Sequence, residues 1–269
     1  MKKHRKVILA LVCLAVALCL IAYPIVAELL SNRYHSDIQT TYTETVAETG
    51  DSVLAAELKK AQAYNAMLAN GAVEGEDDSS PSYTEILNVG GVMAYVEIPK
   101  ISVHLPVYHG TDASTLEHAV GHVVGSSLPI GGESTHAVLS AHSGMASARL
   151  FSDIDQLQLG DVFFIHVLNQ TLAYQVDQIE TVLPSDTSLL HIENDKDYVT
   201  LVTCVPFGVN THRLLVRGTQ IALEDVPQEA VETTHVSTWR QHYWMGLAAG
   251  IVLLGTGIGI YLYRRKRHA

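Results

Sequence analysis

Cysteine is scarce in this chain, with only three among 269 residues. Two of them, Cys13 and Cys19, lie inside a long apolar stretch near the N-terminus, so Cys204 is alone in the rest of the sequence. This distribution excludes a disulfide framework for the body of the protein. A thiol with no partner is either buried and inert or kept for its reactivity.

Basic residues are also few, with 17 Lys and Arg against 28 Asp and Glu, for a formal net charge of −11. Many of the basic residues lie in the two short tails, which leaves the middle of the chain strongly acidic. A surface of this sign argues against binding to nucleic acid and against docking on anionic lipid. The sequence contains no internal repeat.

Two long apolar stretches predict transmembrane helices at the ends of the chain. The first runs from Val7 to about Leu30, is uncharged as far as Ala27, and follows a basic start at residues 1–6. A cleaved signal peptide is the alternative, because small residues precede position 28, but the apolar run exceeds the usual ~7 to 15 residues of a signal core. The second stretch, Tyr243 to Tyr263, has aromatic residues at both ends and is followed by a basic tail.

The positive-inside rule places both basic tails in the cytoplasm. We therefore expect a protein of the cell membrane whose middle part is extracellular. The predicted organisation is a basic tail and first span at 1–33, a helical and lid-like segment at 34–90, a β-rich domain at 91–223, a linker at 224–242, a second span at 243–263 and a basic tail at 264–269.

The region after the first span predicts one helix and then many short strands. Apolar residues recur at helical spacing from Leu54 to Leu68, with Asp51 or Ser52 as the expected N-cap and Asn70-Gly71 at the end. A short helix is also expected between Ala146 and Gly160. The predicted strands are Met93–Ile98, Ile101–Val107, Ala137–Ser140, Val162–Leu168, Thr171–Ile179, Tyr198–Cys204 and Arg213–Ile221, with a hairpin turn at Asn169-Gln170. This pattern predicts a mainly β fold built as a closed or nearly closed barrel.

Three residues are candidates for chemistry. Cys204 ends an apolar, β-branched run and precedes a Pro/Gly loop, a position that suits a buried thiol and an exposed nucleophile equally. His142 follows another apolar strand, although His109, His118, His122, His166, His191 and His212 are also possible bases by residue type. Arg213 begins the strand after the Cys204 loop, where alternation places His212 on the opposite face.

These three residue types suit acyl transfer from an amide. A free thiol of pKa ~8.5 is mostly protonated at neutral pH and needs a neighbouring base or positive charge. Histidine can hold the thiol proton and later protonate the leaving amine. Arginine stays charged and donates hydrogen bonds to the oxyanion of the tetrahedral intermediate.

The motifs around these residues resemble those of the sortases. Thr200-Leu201-Val202-Thr203-Cys204, with Arg213 nine residues on and Leu139-Ser140-Ala141-His142 upstream, is similar to the TLxTC, arginine and histidine signatures of that family. The similarity extends from about Gly91 to Gly218. The stretch Asn210 to Gly218, together with a second span, resembles the class C sortases that polymerise pilins.

This resemblance implies an eight-stranded sortase-type β-barrel with His142, Cys204 and Arg213 as catalytic residues. It also implies cleavage of an LPxTG-like sorting signal after its threonine, a thioester on Cys204, and transfer to a pilin lysine amine. The expected partners are pilins or surface proteins with C-terminal sorting signals, and the chemistry requires no metal or organic cofactor.

The sequence departs from the class C pattern in the segment before the barrel. The acidic residues 74–83 are expected to form a mobile surface segment, and Asp77 to Tyr83 lack the Asp-Pro-aromatic lid motif of that class. Other functions also stay open: a sortase that anchors single proteins to the cell-wall precursor, a cysteine hydrolase, or a non-catalytic surface scaffold in which Cys204 is inert.

Overall fold

The computed structural model describes residues 2–71, 82–145, 148–231, 245–246 and 248–250. The chain divides into two compact units, Met1–Thr233 and Thr234–Ala269. The first unit contains every strand of the described residues, and all further structural statements concern that unit.

Eight strands form one closed barrel. They run in the order β1-β2-β3-β4-β7-β8-β6-β5 around it. The pairs β2–β3 and β4–β7 are parallel, and all other neighbours are antiparallel. The strands are β1 Ala94–Ile98, β2 Val103–His109, β3 Val120–His122, β4 Thr135–Ser140, β5 Val162–Val167, β6 Gln170–Val182, β7 Asp197–Val205 and β8 His212–Ile221. The predicted eight-stranded barrel is therefore confirmed.

Strand β7 is enclosed along most of its length. All of its residues from Tyr198 to Thr203 are buried, on the inner and the outer face alike. The loop between β6 and β7 covers part of the outer face, where Leu189 and Leu190 pack against Val202. Burial on both faces explains why this strand reads as a continuous apolar run instead of an alternating one.

Two long helices precede the barrel. Helix α1 spans Lys2–Glu48, and its C-terminal half buries Tyr42, whose hydroxyl donates to the Met93 carbonyl (3.3 Å) and accepts from the Leu168 amide (2.8 Å). Helix α2 spans Asp51–Ala69 and is held by Asn65, which forms two hydrogen bonds with the backbone of Leu128 at 2.7 and 3.0 Å. Both helices are thus fixed to the barrel by buried polar contacts.

Several details of the predicted elements were wrong. Gly50 is the N-cap of α2, because the helix already begins at Asp51. The hairpin turns at Leu168 and Asn169, one residue early, since Val167 pairs with Gln170. Strand β3 was missed. Between Ala146 and Gly160 the described residues contain only the 3₁₀ turn Ile154–Gln156.

The remaining short helical elements lie before β1, between strands or after the barrel. Residues 223–231, the start of the predicted linker, include helical turns, and Val226 and Ala230 pack on the β5–β6 surface. These remaining elements are the 3₁₀ turns Tyr83–Glu85, Pro99–Ile101, Ser188–Leu190 and Leu223–Asp225, and the single α-turns α3 Ala113–Leu116 and α4 Gln228–Val231.

Part of the segment predicted to be mobile and acidic is buried in the fold, at Tyr83. Residues 72–81, with Asp77, lie outside the described residues. Tyr83, however, is buried, and its hydroxyl lies 2.7 Å from Nδ1 of His122 and accepts from the Gly110 amide at 3.1 Å. The prediction of a surface position for Tyr83 was therefore wrong, because its ring and hydroxyl are both satisfied inside the fold.

Within the described part of the chain, no helix is both long and apolar enough to cross a membrane. The first predicted span falls inside α1, and the second has described residues only at 245–246 and 248–250. The predicted membrane spans thus have no support from the structure and remain a proposal.

Candidate active site

Cys204 is the second-last residue of β7, where the strand leaves the barrel. Its thiol is free and its side chain is half-buried. The next peptide bond, Val205–Pro206, is cis, and the chain then forms the loop 206–211. An accessible thiol on a rigid strand suits a nucleophile better than an inert core residue.

Arg213 is paired directly with Cys204. The antiparallel register of β7 and β8 aligns Cys204 with Arg213 and Val205 with His212. Because paired residues project from the same face of a sheet and successive residues alternate, Arg213 shares the face of Cys204 and His212 does not. The expectation that Arg213 and His212 lie on opposite faces of the strand is confirmed.

The guanidinium of Arg213 is held by backbone groups. Its Nη1 donates to the carbonyl oxygens of His212 (3.1 Å) and Asn210 (3.3 Å). None of the described carboxylates forms an ion pair with it. A fixed positive charge that has further N–H donors besides those of Nη1 can stabilise an oxyanion that develops beside Cys204.

His142 lies two residues beyond the end of β4 and is positioned by hydrogen bonds to β7. The amide of Ala141 donates to the carbonyl of Val202 (3.1 Å), and Oγ1 of Thr203 donates to the carbonyl of Ala141 (2.8 Å). Oγ of Ser143 donates to the carbonyl of Cys204 (2.5 Å). These bonds extend the parallel β4–β7 pairing past its last ladder residue, so the His142 segment is fixed against the Cys204 segment.

The far side of the His142 loop is equally constrained. The amide of Phe151, a fully buried residue, donates to the His142 carbonyl (3.1 Å). The Gly144 amide donates to Oγ of Ser152 (3.0 Å). Phe207, from the loop after Cys204, packs on Gly144, so the two loops that flank the thiol touch each other.

Three of the other candidate histidines, His109, His122 and His166, have structural roles. His122 is fully buried, and because its Nε2 donates to the Ser127 carbonyl (2.8 Å), its Nδ1 accepts from Tyr83. Burial lowers the pKa of His122 to about 4. Burial likewise lowers the pKa of His109, whose Nε2 donates to the Ile86 carbonyl (2.7 Å). His166 lies 2.9 Å from Glu97 and stacks on Tyr95.

An apolar surface leads along the barrel towards Cys204. Val202 and Cys204 are on one face of β7, about 7 Å apart. Val202 packs with Val138, Leu215 and Leu190 into a buried cluster on that face. Next to it, a cleft of about 440 Å³ lies between the β3–β4 and β6–β7 loops, with His136 and Val138 among its lining residues.

Sequence reasoning missed two kinds of residue in this site. The hydroxyls of Ser143 and Thr203 received no role, although each sits next to a predicted catalytic residue. Phe207 was noted only as part of a loop. The position of a hydroxyl beside His142 was the available signal, but its partner is a backbone carbonyl 61 residues away and leaves no mark in the sequence.

At one end the closed barrel presents a free thiol, a loop that carries His142, and a guanidinium that pairs with none of the described carboxylates. This is an arrangement suited to a cysteine enzyme of acyl transfer. The comparisons specify which kind. The sortase domain model matches residues 96–221. Sortase D of Bacillus subtilis (strain 168) is 29% identical over 156 residues, which are 57% of this chain and 76% of that protein.

Solved structures give a more extensive match. The sortase C of Clostridium perfringens, determined with the C-terminal cell wall sorting motif, is 47% identical, with a TM-score of 0.62 over 68% of this chain and 97% of that one. The sortase C of Streptococcus pneumoniae is 44% identical, with a TM-score of 0.64 over 69% and 97%. The chain belongs to the sortase family, its neighbours in structure are class C sortases, and it is a cysteine transpeptidase.

Proposed function

We propose that the chain polymerises pilins: it cleaves an LPxTG-like sorting signal after its threonine, holds the fragment as a thioester on Cys204, and transfers it to a lysine amine of another subunit. The observation that carries this proposal is the direct pairing of Cys204 with Arg213, beside a His142 loop hydrogen-bonded to the same strand. The solved class C neighbours support it, since one was determined with a sorting motif and another is described in terms of pilin substrate specificity.

The proposed reaction has two steps at one sulfur atom. The thiolate of Cys204 attacks the threonine carbonyl, His142 protonates the leaving amine of glycine, and a C–S bond replaces the C–N bond. The lysine amine then attacks the thioester, gives a proton to His142, and releases the thiolate as an isopeptide bond forms. Arg213 stabilises the negative oxygen in both tetrahedral intermediates.

The apolar cluster beside Cys204 suits the first residues of such a signal. An extended peptide advances ~3.3 Å per residue, so the proline and the leucine, two and three residues before the threonine whose carbonyl is attacked, lie ~7 to 10 Å from the sulfur. Val202 lies about 7 Å from Cys204 along β7. The partly exposed Leu189 and Leu190, which pack against the cluster that contains Val202, offer apolar surface there. Burial of a leucine side chain there contributes ~2 kcal/mol to binding.

We also propose that the protein is held in the cell membrane with its barrel outside and both termini in the cytoplasm. The support is the uncharged stretch of α1 after a basic start, whose residues Ile8, Val12, Val16 and Leu20 are exposed apolar side chains. A membrane-impermeant maleimide added to intact cells should label Cys204. Labelling only after lysis would contradict this topology.

The test of the function uses the full chain in detergent with an LPxTG-type peptide, with and without a pilin domain that carries candidate lysines. Mass spectrometry should detect a peptide thioester on Cys204, its absence in Cys204→Ala, and its transfer to a pilin lysine. Transfer only to cell-wall-like amines would assign the chain to anchoring of single proteins, and release to water alone would make it a hydrolase. If the thiol is accessible but forms no adduct with the peptide, the result would favour a non-catalytic scaffold.

A further inference from the structure

The loop that carries His142 is tied to helix α1 by an ion pair across the molecule. Nη1 of Arg149 lies 3.6 Å from Oε1 of Glu28, and its Nη2 bonds Asp153 within the loop. We propose that Arg149 is a positioning residue through which α1 sets the placement of His142 relative to Cys204. This inference rests on the proposed function and adds a means of regulating the same site.

The environment of the pair makes it more than a surface contact. The side chains of Arg149, Glu28 and Asp153 are 24%, 15% and 10% exposed. Asp153 also accepts from the side-chain amide of Gln156 (2.9 Å). Charges that are this far removed from water are screened less by salt than exposed pairs. Removal of the Glu28 carboxylate takes away this contact with α1 while Arg149 stays paired with Asp153.

A short series of hydrogen bonds connects Arg149 to His142. The carbonyl of Arg149 accepts from the Ser152 amide (2.8 Å), and Oγ of Ser152 accepts from the Gly144 amide (3.0 Å). The Phe151 amide then binds the carbonyl of His142 itself. Residues 149–153 therefore form a compact turn whose two contacts with the catalytic segment are at His142 and two residues after it.

The other end of the ion pair lies at a distinctive position in α1. Glu28 is the first charged residue after the apolar stretch that ends at Ala27. Glu28 and Ser31 are partly covered and His35 is buried, at the spacing of one helix face, whereas Leu29 and Leu30 are exposed. A rotation or shift of α1 at this level therefore moves Glu28 and with it the loop after His142.

The test compares Glu28→Gln, Arg149→Gln and the double variant with Glu44→Gln, which makes the same charge change at an exposed position of α1. The full chain in detergent is assayed for cleavage of an LPxTG-type peptide and, separately, for the pH dependence of iodoacetamide alkylation at Cys204, followed by mass spectrometry. Alkylation reports the thiolate, and so the placement of His142, without any sorting signal.

Glu28→Gln and Arg149→Gln should each lower kcat on the order of tenfold with KM nearly unchanged, and should shift the alkylation profile, because a small misplacement of a catalytic group is costly. The double variant should be no worse than Arg149→Gln alone, since Arg149→Gln already breaks the pair with Glu28 along with the pair to Asp153. Glu44→Gln should resemble the wild type. If Arg149→Gln does not fold, Glu28→Gln alone decides whether the ion pair with α1 positions His142.

An unchanged alkylation profile in Glu28→Gln, or losses that multiply in the double variant, would overturn the inference. If the wild-type chain alkylates normally but leaves the peptide uncleaved, the proposed function fails, while the alkylation profiles still decide whether α1 positions His142.

Discussion

Oγ of Ser143 donates a 2.5 Å hydrogen bond to the carbonyl of Cys204, so the neighbour of the candidate base is bonded to the backbone of the candidate nucleophile. Thr203 makes the reciprocal bond, from the neighbour of Cys204 to the carbonyl before His142. Two hydroxyls thus fix the two segments in register where the β ladder has already ended.

Loss of the Ser143 hydroxyl should impair catalysis more than folding. Ser143→Ala removes one hydrogen bond, which costs ~1 kcal/mol of stability, but frees the His142 segment from β7. We expect kcat to fall on the order of tenfold in peptide cleavage, with the melting temperature little changed. The control is Thr135→Val, which removes a similar 2.7 Å bond, from Thr135 to Gly132, at the other end of β4. Equal activity losses in both variants would show that Ser143 has no special role.

The charge of Arg213 should not be enough for activity. Arg213→Lys keeps the positive charge but loses the planar guanidinium held by two carbonyls, so kcat should fall on the order of 10²-fold. Arg217→Lys, four residues on along β8, is the matched control, because Arg217 bonds Asp177 at 2.9 and 3.0 Å and covers the Tyr198 ring. That variant should lose stability and keep its specific activity. Full activity of Arg213→Lys would exclude a forked contact with the oxyanion.

Gly144 should tolerate no side chain. Its φ is +79°, and a Cβ there would lie 3.1 Å from the Phe207 ring. Gly144→Ala should therefore cost ~1 to 2 kcal/mol of local strain and lower activity by displacing the His142 loop. Adding Phe207→Ala removes the clash but not the backbone strain, so the double variant should recover only part of the activity. Full recovery would mean that the clash alone is responsible.

Stability should decline in mild acid because of buried histidines. The pKa of His122 is about 4 in the fold, below the ordinary value of 6.5, since burial disfavours the imidazolium. Between these two values the unfolded chain binds a proton that the folded chain does not, so the free energy of unfolding falls as pH drops from 6.5 to 4, by a total on the order of 3 kcal/mol. His35, His109 and His136 act in the same direction.

The measurement is the melting temperature at pH 7.5 and pH 5. The difference should shrink in His122→Asn, even though this variant starts from a lower stability because the Tyr83 hydroxyl loses one of its hydrogen bonds, the one to Nδ1 of His122. His104→Asn, an exposed position, serves as the control and should keep the full difference. A melting temperature independent of pH in the wild type would refute the assignment of a neutral buried His122.

The sequence alone predicted the barrel and seven of its strands because their apolar patterns are local. Strand β3 was not predicted, since Val120–His122 is three residues long and contains a glycine. The side of the sheet on which Arg213 lies followed from strand alternation, and the register confirmed it. The contacts that position the His142 loop could not be predicted from the sequence. A hydroxyl bonded to a distant carbonyl, or an ion pair between Glu28 and Arg149, depends on tertiary contacts that no local pattern encodes.

The nucleophile candidate and the apolar residues that would contact a substrate are carried by different parts of the chain, the enclosed strand β7 and the loop before it. Cys204 is carried by a strand bonded on both sides and covered on both faces, whereas Leu189 and Leu190 reach the same surface from a connection outside the ladder. Exchange of residues 183–196 for the corresponding loop of another barrel would alter the apolar cluster without moving the thiol. Substrate specificity can therefore be changed, in evolution or by design, on an unchanged position of the thiol.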